Sequence, residues 1–158
     1  MAVDFCKFNV DGALNMSSGT RGGGMVVRDS VGCFYDAVAL RAPSLLYVLA
    51  TKLYALKFGI SFAIDASFFP LVIETNSLSA THFILKDEVC YAAERVLVED
   101  IHHLLASVSS CFVHYVPWTA SGVAYHIACF SLNQDDLSFW FEEPPSLLWD
   151  CPDSFGDV

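Results

Sequence analysis

The period of the apolar residues changes along this chain in a fixed order, and that order limits the fold more than any other feature. Leu45, Leu49, Leu53, Leu56, Ile60 and Ala63 recur at steps of four, four, three, four and three. Such spacing lines one face of a helix, and Pro43-Ser44 reads as its start signal. Three strand-like runs precede the stripe, at residues 5–11, 24–28 and 32–40, the last two joined by a tight turn over 29–32. Asp11-Gly12 reads as a turn that ends the first run, and the Gly- and Ser-rich residues 15–24 read as a loop. After the stripe come a β-rich run at 69–74 and a short helix at 77–85. A longer helix at 91–107 follows, with Val96, Ile101, Leu104 and Leu105 facing inward. A strand at 111–116 is stopped by Pro117, and a final helix covers 122–132. This βββαβααβα order predicts an α/β layered fold with a mixed sheet.

Composition narrows the choice further. At 158 residues and 54% apolar the chain fits one domain with an ample core. We expect that domain at residues 3–132 and an acidic, aromatic tail at 133–158. The tail reads as largely irregular, with Phe139, Trp140, Phe141 and Trp149 available to dock it. The apolar runs at 66–73 and 110–116 fall far short of the roughly 20 residues a membrane helix needs, so no membrane is expected as a partner. Asp4 and Lys7 interrupt the first run, which therefore does not read as a secretory signal, and the expected location is intracellular, nucleus or cytoplasm. The six cysteines form no C-x-x-C pair and read as buried free thiols. Adjacent His102 and His103 point to different helix faces, which is poor zinc geometry.

Charge speaks against a nucleic-acid stripe. The net charge is −10, and the tail holds Asp135, Asp136, Glu142, Glu143, Asp150, Asp153 and Asp157 with no Lys or Arg. Neither the tail nor the body resembles the basic surface that phosphate backbones require, so any hybrid or duplex is expected to bind more weakly than micromolar at physiological salt. Residues 19–24 lack the Lys-Ser/Thr and following helix of a phosphate cradle.

Five landmarks in sequence carry a resemblance. These are Lys7-Phe8-Asn9-Val10-Asp11-Gly12-Ala13, the run from Gly22-Gly23-Gly24 to Gly32, the A-x-x-x-x-A-L-x-x-G pattern of residues 50–59, Ile73-Glu74-Thr75-Asn76-Ser77, and residues 116–128. Together they resemble the ribonuclease H-like domains abundant in plant genomes, often derived from retroelement reverse transcriptases, over about residues 3–132. The resemblance implies a mixed five-stranded sheet of order 3-2-1-4-5 flanked by helices. Its first three strands would be antiparallel, and the fourth and fifth parallel to the first.

Active members of that family cut the RNA strand of an RNA–DNA hybrid with two Mg²⁺ ions held by four carboxylates. Carried over residue by residue, the resemblance keeps Asp11 and loses the rest. Lys52 stands at the helix acid, Asn76 at the strand acid and Tyr125 at the final-helix position, where some relatives carry His. Trp118 replaces a common Arg and Ser121 a common Asn. Glu74 stands where the family often has Glu without a known catalytic duty. The resemblance therefore implies a degenerate ribonuclease H-like domain with Asp11 as its surviving acid, with no catalysis and no cofactor or metal expected. Two alternatives stay open: a module that binds nucleic acid weakly, and a protein-interaction module that uses the tail. Lys52 is expected within about 4 Å of Asp11, holding the carboxyl below its ordinary pKa.

Overall fold

The computed structural model describes residues 5–43, 47–68, 70–86, 94–108, 110–117, 122–134, 137–141 and 143. Among these residues six strands and four helices follow in chain order: β1 (Cys6–Leu14), β2 (Arg21–Arg28), β3 (Phe34–Ala42), α1 (Val48–Ala66), β4 (Leu71–Thr75), α2 (Leu78–Leu85), α3 (Arg95–Ala106), β5 (Cys111–Tyr115), α4 (Gly122–Ser131) and β6 (Ser138–Phe141). The sheet order is β5-β4-β1-β2-β3-β6. β1, β2 and β3 are antiparallel neighbours, while β4 and β5 run parallel to β1. The expected order 3-2-1-4-5 thus holds, and the strand count rises from five to six.

The extra strand comes from the segment read as irregular. β6 pairs antiparallel with β3, Phe139 opposite Val38 and Trp140 opposite Ala37. Two rings hold it from opposite faces of the sheet: Trp140 meets Phe130 of α4 at 5.5 Å, and Phe139 stacks on Phe62 of α1 at 6.0 Å. Trp149, Trp118 and Ser121 lie outside the described residues.

Strand alternation divides the core in two. Phe8, Val10, Met25, Val27, Val38 and Leu40 face α1 and pack on Leu53, Leu56, Ile60 and Ala63 of the predicted stripe, with Ile101 of α3 behind. Val26, Ala37 and Ala39 face the other way, onto Val123 and Ile127 of α4. In α3, Val96 is 62% exposed rather than inward, and Val98 takes its place in the core beside Ile101. At 3.6 residues per turn Val96 sits about 140° around the helix from Ile101, so the apolar stripe runs through Val98, Ile101 and Leu105 and Val96 falls off it. α1 runs from Val48 with Tyr47 at the cap; Ser44 of the expected start signal and Leu45 of the stripe lie outside the described residues.

Two local turn signals are overridden. β1 runs straight through Asp11-Gly12, because Asp11 pairs with Gly24, Gly12 with Gly23 and Leu14 with Arg21. β2 likewise begins at Arg21, so Gly22-Gly23-Gly24 is strand and only residues 15–20 form the loop. Three glycines weaken an isolated strand, but here both helices press on them. A Cβ at Gly23 would stand 2.9 Å from the Ala55 Cβ of α1. At Gly24 it would overlap the Ala124 carbonyl oxygen and the Ala128 nitrogen of α4. Absence of side chains at the sheet's centre is what lets both helices approach it.

Candidate functional site

The C-terminal end of β1, where α1 begins and β4 ends, gathers three of the four positions that the family pattern assigns. Asn9 and Asp11 share the strand face opposite Phe8 and Val10, and Asp11 is only 2% exposed. Gly12 sets the distance to α1. A Cβ there would lie 3.1 Å from Thr51 and 3.3 Å from Lys52, so a larger residue would push the helix away. Asn76 is fixed by its neighbours. The Thr75 hydroxyl accepts the Ser77 N–H at 3.2 Å, and Ser77 caps α2 by accepting the Ala80 N–H at 3.1 Å.

The three side chains close a ring. The Lys52 ammonium lies 3.5 Å from Asp11 Oδ1 and donates to Asn76 Oδ1 at 3.1 Å. Asn76 Nδ2 donates to Asp11 Oδ2 at 3.3 Å, and the Gly12 N–H donates to Asp11 Oδ1 at 2.8 Å. The separation expected from the sequence is met. A backbone amide of the Asp-Gly pair, the alternative holder of Asp11, is present as well: the Gly12 N–H answers the same oxygen as Lys52.

Tyr125 stands on α4 nearby. Its hydroxyl is pushed up in pKa first by a hydrogen bond and charge coupling with Cys129, then by burial and by the Asp11 charge. Cys129 lies one helical turn on, an i, i+4 relation visible in the sequence but not drawn from it. Burial, more than the Asp11 charge, raises the Cys129 thiol, and burial pushes Cys111 up to about 11. Such thiols are poor nucleophiles. Cys6, Cys33, Cys111 and Cys129 are free, as expected, but Cys33 is exposed and the other three half-buried. Cys90 and Cys151 lie outside the described residues. Glu74 is engaged elsewhere and accepts the Asn9 amide at 3.1 Å across the parallel ladder.

The Asp11 pKa departs from expectation. Burial raises it from its ordinary value, outweighing the Lys52 charge and the hydrogen bonds from Gly12, Lys52 and Asn76 that lower it. Lys52 is 22% exposed and still faces solvent, so its charge repays only part of what Asp11 loses on leaving water. The sign follows: a native acid with a raised pKa binds more protons than the unfolded chain. Its contribution to stability is therefore lost as pH rises from the unfolded pKa through the native one. The stability of Asp11→Asn relative to the unmodified chain is expected to rise as pH climbs above about 4, read from paired urea melts. A relative stability that is flat above about pH 4 and changes only below it would restore the expectation of a lowered pKa.

The donor set does not fit a pair of hard dications. Mg²⁺ takes oxygen ligands, with carboxylates supplying the charge, whereas here one carboxylate faces an ammonium and an amide. Among the described residues no group of three His, Cys, Asp or Glu side chains converges on a metal-sized space. No helix of the described residues is long and apolar enough to cross a membrane.

Comparison with known proteins agrees with this geometry at the level of fold and family. The profile for the family described as reverse transcriptase-like matches residues 9–131. Among curated protein sequences none matches significantly. RNase H1 from the halophilic archaeon Halobacterium salinarum superposes with a TM-score of 0.74 at 16% identity, covering 81% of this chain and 97% of its own. The N-terminal RNase H domain of a Mycobacterium tuberculosis protein gives 0.69 at 15% identity, covering 83% and 95%. An RNase H1 isolated from compost, solved in complex with an RNA/DNA hybrid, gives 0.69 at 14% identity, covering 81% and 96%. The chain belongs to the reverse transcriptase-like family, and its fold is that of ribonuclease H.

Proposed function

We propose that this domain is a pseudoenzyme of its family, one that has lost metal-dependent hydrolysis of RNA–DNA hybrids. The Lys52 ammonium, 3.5 Å from Asp11 and 3.1 Å from Asn76, is the observation that carries this reading. The active pattern presents four carboxylates to two dications. With Asp11 and Lys52 charged and Asn76 and Tyr125 neutral, the same four positions here sum to zero. One unit-charge pair at about 4 Å is worth roughly 4 kcal/mol at an effective dielectric of 20, before desolvation. Three lost attractions and one added repulsion remove more than the binding energy of Mg²⁺ at millimolar concentration. Lys52 acts in its stead as an internal cation that partly neutralises Asp11 and ties β1 to α1 and to the end of β4.

A hybrid-cleavage assay with Mg²⁺ and with Mn²⁺ tests the loss of activity. Product is expected to stay at the level of a metal-only blank. Metal-dependent cleavage that disappears in Asp11→Asn would overturn the proposal.

A second reading, a weak nucleic-acid binder, is favoured by one observation: a structural relative was solved on an RNA/DNA hybrid. The net charge of −10 then sets the affinity, because few phosphates can be neutralised. We take residues 3–132 as the body of the domain and 133–158 as an appended acidic, aromatic segment that lends β6 to the sheet.

A further inference from the structure

We propose that the outer edge of β6 is a docking site for an extended basic peptide, which adds to the sheet as a further strand. Among the described residues β6 ends the sheet, paired with β3 on one side only. A terminal strand presents a row of backbone donors and acceptors that another strand can complete. This strand is held firmly enough to serve as a template, by Trp140 on Phe130 and by Phe139 on Phe62. Beside its open edge, Phe139 and Phe141 project from one face, 41% and 61% exposed. Their rings stack 5.8 Å apart and 5° from parallel. An incoming strand would lay every second side chain against this pair.

Charge identifies the occupant. Asp135 and Asp136 precede β6 in the sequence, and Glu142 and Glu143 follow it. A second copy pairing antiparallel would set Asp135 and Asp136 of one chain beside Glu142 and Glu143 of the other. Parallel pairing would set each acidic pair beside itself. Both arrangements join like charges between chains of net charge −10. The chain's own residues 144–158 carry three acids and no Lys or Arg, so they meet the same repulsion. A partner segment with apolar residues in alternation and Lys or Arg at both ends turns every one of these contacts into an attraction.

The test uses the full chain and three fluorescein-labelled peptides in fluorescence anisotropy. One has the sequence Lys-Lys-Val-Thr-Val-Thr-Val-Lys-Lys, one carries Glu for every Lys, and one is the basic peptide N-methylated at alternate backbone amides. The basic peptide is expected to bind at one per chain, with the acidic and N-methylated peptides each at least about tenfold weaker. The double change Phe139→Ser and Phe141→Ser is expected to weaken the basic peptide by about tenfold. If that variant does not fold, the N-methylated arm still decides, because it uses the unmodified chain. Equal binding of the methylated peptide would reduce the effect to charge and overturn strand addition. Absence of binding, or a chain that sediments as a dimer without peptide, would overturn the proposal by leaving the edge unused or occupied by a second copy.

Discussion

Lys52→Glu, Asn76→Asp and Tyr125→Asp made together are expected to give the chain Mg²⁺-dependent cleavage of an RNA–DNA hybrid, while each change alone leaves it at background. Charge explains the difference. Asn76→Asp or Tyr125→Asp alone leaves a sum of about −1 over the four positions, because Lys52 remains. Lys52→Glu alone reaches −2 and sets two carboxylates side by side with one dication's worth of charge between them. The triple change reaches −4, which matches two dications. Groups that work as a unit show such all-or-nothing behaviour. Initial rates on a labelled hybrid are the readout, with at least about a hundredfold gain over the blank expected for the triple variant. A single change that restores cleavage would break the charge argument. A folded triple variant that binds Mg²⁺ and leaves the hybrid uncut would move the cause of the loss to the segment of Trp118 and Ser121.

Gly24→Ala is expected to cost about 3 kcal/mol of stability, at the upper end for overpacking, because backbone rather than a flexible side chain blocks the new Cβ. Its Cβ would overlap the Ala124 oxygen and the Ala128 nitrogen, so α4 must lift from β2 and uncover Val26 and Val123. For a domain of this size the midpoint of thermal unfolding should fall by about 6 to 12 °C. Gly19→Ala provides the comparison. Its left-handed φ of 74° strains an alanine, but its surroundings are open, with the nearest atom at 3.8 Å. That change should cost about 1 kcal/mol. Gly24→Ala proving the milder of the two would mean that α4 does not press on β2 as described.

The parts of the fold that were legible in the sequence are those set by apolar period. Leu53, Leu56, Ile60 and Ala63 mark the buried face of α1 because a helix repeats every 3.6 residues whatever lies opposite it. The order of strands and helices follows from the same signal. Asp11-Gly12 and Gly22-Gly23-Gly24 carry a real local turn preference, and only pairing across the sheet and pressure from α1 and α4 outweigh it; the family resemblance, not the local signal, puts both in strands. β6 was invisible for a related reason. Four residues make no periodic signal, and what holds them is the ladder with β3 and the rings of Phe130 and Phe62, distant in sequence.

At the candidate site, the meeting of Lys52 with Asp11 was legible once the family pattern placed both on facing elements. The direction of the Asp11 pKa was not. It turns on how much water reaches the carboxyl, which depends on Gly12 letting α1 approach and on Asn76 closing the far side.

The central claim is that an internal ammonium stands where the family binds metal, and Mn²⁺ titration of the ¹⁵N-labelled chain tests it most directly. The unpaired electrons of Mn²⁺ broaden signals of nuclei close to where it binds, and the Gly12, Lys52 and Asn76 amides report on this site. At up to millimolar Mn²⁺ these three signals are expected to stay as sharp as the rest of the body, with any broadening confined to the acidic segment beyond Asn133. Selective broadening of Gly12, Lys52 and Asn76 at submillimolar Mn²⁺ would contradict the account.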